Sequence, residues 1–305
     1  MATKTPNFII AGFPKCGTTS LFAYLETHPE IFIPQRKEMN FFSYPIIKNL
    51  TGGEGDKVIV GTQVSTWEQY MSYYRSVNNE KAIGDASPSY INFPACFSYI
   101  KEKIDNPKII ILLRDPIKRS YSNYLHLYRV GREKLDFNSA LLEEENRIEK
   151  KYSPMWYYKR HSTYYDKVIE AQKTFDDVLL LTQEEMNKNP KEILKQVFEF
   201  LEVDSNFIPP NLDVMYNKGG VYKKNRITNL FLKQSKTKHF LSQNVSFIKK
   251  LKPLKDKILS SFEVAPPPLD KQSEDFLIKH FKEDVKKLHK LGVNTSNWNQ
   301  NYFIE

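Results

Sequence analysis

The chain has 305 residues, 40% hydrophobic and 13% aromatic, with two cysteines and a formal net charge of +9. That apolar content can build one large core; two cysteines exclude a disulfide framework or a cysteine-rich metal site, and no run approaches the ~20 apolar residues of a membrane span. The positive charge suits a small polyanionic ligand better than a polynucleotide, because many lysines alternate with acids, as in SEDFLIKHFKEDVKKLHK, the pattern of a solvated helix face. The opening MATKTPNFII has no basic region leading into a long apolar run. A cytoplasmic protein with Cys16 and Cys96 as free thiols is expected.

In chain order, residues 8–11 form a short apolar run that leads into a glycine-containing loop, and Thr18–Leu25 continues with helical spacing, so the chain opens as strand, loop, helix. The stretch from 43 to 80 has many aromatics without a firm period and reads as a loop. Lys108–Leu113 carries the β-branched enrichment of a strand buried on both faces, followed by a helix over 117–128. Val178–Thr182 is a third such strand. After it, Ile193, Val197, Phe198 and Leu201 share one helical face, with Pro190 in the first turn. Residues 204–225 and 264–269 are rich in Pro, Gly and Asn, and 276–291 returns to amphipathic spacing through Leu277, Phe281, Val285 and Leu288. Strands alternating with helices predict a single α/β domain: a P-loop-like central parallel sheet flanked by helices, with ligand at the carboxyl ends of its strands.

FIIAGFPKCGTT raises the first chemical question. Gly12 and Gly17 keep the glycine spacing of a triphosphate loop, yet Thr18 stands where its lysine belongs and the only lysine, Lys15, lies inside the loop. Loop N–H groups and a helix N-terminus hold an anion without a metal; Lys15 adds a full charge and Thr18, Thr19 and Ser20 add hydroxyl donors. A plain strand-to-helix turn using Gly for geometry and Thr for capping would read the same way. The second strand ends in Arg114, and Ser122 lies about two helical turns further on, so a guanidinium and a hydroxyl can close on one phosphate from two sides. Taken alone, Arg114 could equally cap a helix or pair with Asp115.

Together these segments carry a resemblance. PKCGTTSL resembles the 5′-phosphosulfate loop, and RDPIKRSYSNY the 3′-phosphate motif, of the sulfotransferases that use 3′-phosphoadenosine 5′-phosphosulfate (PAPS). RKEMNFFS is similar to the Lys-Glu segment with paired aromatics in the glycan and bacterial branches, DASPSYI to their Thr/Ser-Pro-Ser-Tyr turn, and LLLTQEEMNKNPKEILKQVFEFLEV and LIKHFKEDVKKLHKLGVNTSNW to later parts of the same family. The resemblance implies a sulfotransferase domain over residues 7–300, with lid or acceptor loops around 43–80 and 204–268. It implies PAPS as co-substrate, adenosine 3′,5′-bisphosphate (PAP) as product and no metal. It places Lys15, Cys16, Gly17, Thr18, Thr19 and Ser20 at the donor's phosphosulfate and Arg114 and Ser122 at its 3′-phosphate. A basic loop with Lys223, Lys224 and Arg226 would cover the terminal phosphate. Lys15 would neutralise the departing phosphate, and Glu38 would be the general base, its pKa raised by Phe41 and Phe42.

Other readings stay open. His126 is the second candidate base, and Glu38 could simply pair with Lys37 or Arg36 at the surface. Ala86 stands where the glycan branch has a lysine, so one contact is missing or supplied elsewhere, and Gln183 replaces a tyrosine of the cytosolic branch, which alters adenine packing. Phe41, Phe42, Tyr44, Trp67, Tyr70, Tyr73 and Tyr74 could line an acceptor cleft or be core. The acceptor is expected to be a small molecule, such as a bacterial secondary metabolite, or a carbohydrate, with a hydroxyl or amine as nucleophile. A P-loop-type kinase with an atypical loop, and a nucleotide- or nucleic-acid-binding protein without catalysis, are the alternatives.

Overall fold

Five extended segments pair into one sheet: β1 (Phe8–Gly12), β2 (Ile31–Phe32), β3 (Ala82–Ala86), β4 (Lys108–Leu113) and β5 (Val178–Thr182). Their spatial order is β2-β3-β1-β4-β5 and every neighbouring pair is parallel. The structure, a computed structural model, describes residues 4–214, 220–222 and 261–304. The chain leaves β1 toward the β3 side of the sheet and leaves β4 toward β5. A crevice therefore opens between the carboxyl ends of β1 and β4, the switch point at which parallel sheets bind ligands.

The helices are α1 (Thr18–Leu25), α2 (Tyr44–Ile47), α3 (Asp56–Val60), α4 (Trp67–Ser72), α5 (Phe97–Lys103), α6 (Pro116–Arg129), α7 (Phe137–Leu142), α8 (Glu144–Glu149), α9 (Tyr165–Thr174), α10 (Gln183–Lys188), α11 (Pro190–Phe200) and a C-terminal helix, Lys271–Lys290. Helix α6 starts where its residues dictate. Pro116 takes the first helical position, and the Asp115 carboxylate accepts from the N–H groups of Ile117 (2.9 Å) and Lys118 (3.4 Å). Asp115 also accepts from Asn299 N (2.8 Å) and Tyr302 OH (3.1 Å), so the chain end locks the β4–α6 turn. The C-terminal helix buries Leu277, Phe281, Val285 and Leu288, the face its spacing predicted.

Two features differ from the sequence expectation. The first is β3, AIGDA, which the residues do not announce because Gly84 and Asp85 disfavour strands. Tertiary contacts override both. A Cβ on Gly84 would stand 2.3 Å from the Phe8 ring, so glycine lets β1 pack against it. The fully buried Asp85 accepts from Ser87 Oγ (2.7 Å), Tyr70 OH (2.9 Å) and Tyr90 OH (3.0 Å). The second is the 43–80 stretch, which carries α2, α3 and α4 and contributes to the main core. Phe41, Phe42, Tyr70 and Tyr74 are all buried there, with Phe41 stacked on Tyr70 at 5.0 Å and Trp67 packed against both. The aromatics form a packed layer instead of a cleft.

One buried knot holds this layer to the rest. The Asp56 carboxylate accepts from Gly53 N (2.8 Å), Ser153 N (2.7 Å), Ser153 Oγ (2.7 Å) and Trp156 Nε1 (3.1 Å), and it pairs with the Arg132 guanidinium. Both ions are almost wholly buried, and removing one partner of such a pair leaves an uncompensated charge. Arg132→Met is therefore expected to cost about 3–5 kcal/mol in urea unfolding; a loss below about 1 kcal/mol would show the pair to be dispensable.

Candidate active site

A cavity of about 840 Å³ opens at the β1/β4 crevice, within the usual range for ligand sites. Its floor is the loop from β1 to α1. Lys15 sits there with φ 73° and Gly17 with φ 90°. Gly17 is required by its backbone, since a side chain would be strained at that φ. Left-handed residues in such a loop turn successive N–H groups to one side and make an anion-binding concavity.

Two guanidiniums hold the loop from outside. Arg119 Nε donates to Pro14 O (3.1 Å) and Arg114 Nη1 to Lys15 O (3.2 Å). Arg119 is only 1% exposed and also donates to Ser162 Oγ (3.2 Å) and Tyr157 O (3.4 Å). Arg114, at the end of β4, and Lys15, after β1, line the same cavity. So do Gly17, Thr18, Thr19, Ser20 and Ser122. Cys16 does not. Its side chain is fully buried, with Sγ 3.9 Å from Tyr164 OH, and burial pushes the thiol up to about 12. It packs the back of the loop, and its N–H donates to Phe13 O (3.2 Å) within the loop itself. Lys223, Lys224 and Arg226 lie outside the described residues.

Both candidate bases line the cavity, in different surroundings. His126 is held neutral, its pKa pushed down to about 3 by desolvation and then by the charges of Lys15, Arg129 and Arg132. Glu38 is exposed, and Phe41 and Phe42, expected to desolvate it, turn into the core and do not line the cavity. What holds Glu38 is its backbone: its N–H donates to Ala86 O (2.8 Å), and φ is 55° at Glu38 and 53° at Asn40, conformations that side chains adopt only under constraint. The Ser87 hydroxyl, itself bonded to Asp85, accepts from Asn40 N (3.3 Å) and steadies the same turn. Ala86 is buried at the end of β3, and the backbone bond to Glu38 brings the Lys37–Glu38 segment beside it.

Among the cavity residues, Arg119, Arg129, Lys37 and His161 were not foreseen. Arg119, Ser122, His126 and Arg129 follow each other at spacings of three, four and three on α6 and all face the cavity. That stripe was available in RDPIKRSYSNYLHLYR once Ser122 had been placed. Lys37 lines the cavity and donates to Thr19 Oγ1 (3.0 Å). The buried His161 is also there, held neutral by burial and by nearby Lys167, Arg119 and Arg160. Arg36, named only as a possible partner of Glu38, donates instead to Tyr73 OH (2.8 Å) and to Thr62 O. Gln183 lines the cavity, and the acids after it serve the frame: Glu184 accepts from Trp298 Nε1 (3.1 Å) and Glu185 from Thr182 Oγ1 (2.7 Å). The lining also has an apolar part, made of Ile47, Ile59, Val60, Pro154 and Met155.

Among the described residues no helix is long and apolar enough to cross a membrane. A family model described as "Sulfotransferase domain" matches residues 5–252. The chain is 28% identical to a sulfotransferase from Alicyclobacillus acidocaldarius of solved structure, over 97% of this chain and 99% of that one, with a TM-score of 0.74. Among curated proteins it is 37% identical over 120 residues to "Membrane-associated sulfotransferase kil1" of Dictyostelium discoideum, covering 39% of this chain and 22% of the relative. It is 28% identical over 173 residues to "Carbohydrate sulfotransferase 15" of Mus musculus, covering 45% of this chain and 30% of the relative. The aligned parts thus span less than a third of either curated relative's length.

The electrostatics of the loop can be tested without a ligand. Desolvation, followed by the charges of Arg129, Arg119 and Arg114 against that of Glu38, holds Lys15 down at about 8 from 10.5. A lysine whose folded pKa is depressed costs stability wherever it is charged in the native state, and the cost is relieved as pH rises from the folded toward the unfolded value. Lys15→Met should therefore stabilise the protein at pH 7 by about 1–3 kcal/mol. The gain should shrink between pH 8 and 10.5. A constant difference across that window, read by denaturant unfolding at each pH, would contradict this account of Lys15.

Proposed function

The chain belongs to the sulfotransferase-domain family, and we propose that it moves the sulfuryl group of PAPS to a hydroxyl or amine of a small-molecule or carbohydrate acceptor by in-line displacement. One observation carries this reading: Arg114 and Lys15, from neighbouring strand ends, are joined by a hydrogen bond and face one cavity together with Ser122, Thr19 and Glu38. That supports a polyanionic ligand bound across the two strand ends.

In this reading the loop N–H groups and the Thr18, Thr19 and Ser20 hydroxyls hold the donor's phosphosulfate, and Arg114 and Ser122 hold its 3′-phosphate. Lys223, Lys224 and Arg226 are assigned to the basic loop over that phosphate. Glu38 takes the proton from the acceptor as its oxygen or nitrogen attacks sulfur. The bond from sulfur to the bridging oxygen breaks, and PAP leaves with that oxygen. Charge grows on the departing phosphate, where the Lys15 ammonium, in a partly desolvated site, stabilises the transition state more than the ground state. His126 is too weakly basic in its ring of cations to take a proton at neutral pH.

The kinase alternative needs an acid at the strand end to hold a metal. Asp115, the acid beside Arg114, is already engaged by four hydrogen bonds to α6 and the chain end. Carbohydrate acceptors draw support from the name of one relative, and the mixed polar and apolar walls of the cavity suit a small molecule as well. The cytoplasmic assignment and independence of metal belong to the same proposal.

PAP is expected to raise the melting temperature by several degrees with EDTA present, as mass action requires of a ligand that binds only the folded state. Stabilisation by Mg-ATP alone would favour the kinase, and by oligonucleotides alone a binding protein. For the base, an acceptor panel screened by mass gain of one sulfonate supplies the substrate. Glu38→Gln should then slow single-turnover transfer by about 10²-fold or more with donor affinity kept, while His126→Ala should cost less than about tenfold. Near-normal transfer by Glu38→Gln would remove Glu38 from the role.

A further inference from the structure

Lys37 is the cavity lysine that neither the loop motif nor the Arg114 motif contains. Its ammonium has three N–H donors and no acceptor capacity. One donor goes to Thr19 Oγ1 at 3.0 Å, and among the described residues Lys37 makes no other hydrogen bond and no ion pair. The side chain is half-buried, its ammonium lies over the Phe22 ring with Nζ 5.0 Å from the centroid, and burial lowers its pKa despite the favourable charges of Glu38 and Glu26. A cation so placed, held at the mouth of an anion-binding loop with most of its donors uncommitted, is satisfied by a ligand anion more readily than by the protein.

The bond to Thr19 also sets what Thr19 can do. Because the ammonium can only donate, Thr19 Oγ1 accepts, and its own proton is left to point elsewhere. A hydroxyl polarised by an adjacent cation is a stronger donor. Thr19 is the second residue of α1 and lines the cavity beside Gly17 and Ser20. The backbone carrying Lys37 is not a loose surface segment, since the next residue is fixed by Glu38 N to Ala86 O and by its left-handed φ.

We infer that Lys37 is a further donor-contacting cation, gripping the 5′-phosphosulfate end of the nucleotide jointly with Thr19 from the segment that carries Glu38. This rests on the PAPS reading above. It places the base and a donor-contacting lysine on adjacent residues of one fixed turn.

The test uses nucleotides that differ only at the 5′ end, titrated calorimetrically or by competition: PAP, which carries both phosphates, and adenosine 3′-monophosphate, which lacks the 5′ group. Lys37→Met is expected to weaken PAP about tenfold or more and to change adenosine 3′-monophosphate by less than twofold, while Lys37→Arg recovers most of the loss. Arg114→Met, the control at the other end, should weaken both nucleotides. A loss on PAP below twofold, an equal loss on both nucleotides, or failure of the arginine to recover binding would assign Lys37 a merely structural bridge to α1 and overturn the inference. Should the wild-type protein bind neither nucleotide, the donor reading itself falls; wild-type binding with an unresponsive Lys37→Met overturns the Lys37 assignment alone.

Discussion

The site depends on two hydrogen bonds from guanidinium to peptide carbonyl, Arg119 to Pro14 and Arg114 to Lys15. Such bonds are directional and charge-assisted, so they fix the loop between β1 and α1 in its strained conformation. Because the acceptors are neutral, they do not cancel the charge. A carboxylate at either place could have held the loop as well, but it would have neutralised the field that a polyanion needs. Parallel pairing of β1 with β4 makes the clamp possible by setting the two strand ends side by side.

The consequence is a division of labour between acids and bases. Several carboxylates are satisfied inside the frame: the buried Asp56 by Arg132 and the 153–156 turn, the buried Asp85 by two tyrosines and a serine, and the half-buried Asp284 by Tyr164 N and Tyr165 N at 2.9 Å each. The cavity instead gathers Lys15, Lys37, Arg114 and Arg119; among the described residues these make no ion pair, and Glu38 is the only acid lining it. Mutual repulsion and desolvation of these cations destabilise the free fold, as do the left-handed backbones of Lys15, Glu38 and Asn40. Such local strain persists only when the surroundings over-determine it. Here the Arg114 and Arg119 bonds constrain Lys15, the bond to Ala86 O constrains Glu38, and Ser87, itself held by Asp85, constrains Asn40.

How much of this was legible depended on the kind of signal. β4 and β5 were readable because continuous runs of Ile and Leu suit strands buried on both faces, and α6 because Asp115 and Pro116 mark its start. The loop between β1 and α1 was readable because glycine spacing and a helical continuation are local properties. β3 was not, since Gly84 and Asp85 make sense only with Phe8 packed on one and three hydroxyls bonded to the other. The aromatics from Phe41 to Tyr74 were ambiguous for a related reason: aromatic composition does not say which face of a chain is inside, and packing decided for the core.

The sequence by itself determined the class of fold and a glycine-spaced loop between a strand and a helix, and it marked Arg114 with Ser122, and Glu38 beside paired aromatics, as the groups to watch. Each is a matter of residues a few positions apart, where backbone geometry alone dictates who meets whom. The tertiary structure decided which of these side chains share a cavity. It turned Cys16 to the back of the loop, carried Lys37 to Thr19 across eighteen residues, and left Glu38 exposed while its aromatic neighbours went to the core. Those outcomes depend on strand order and on the long-range contacts that fill the core, neither of which is encoded in any short stretch of the chain.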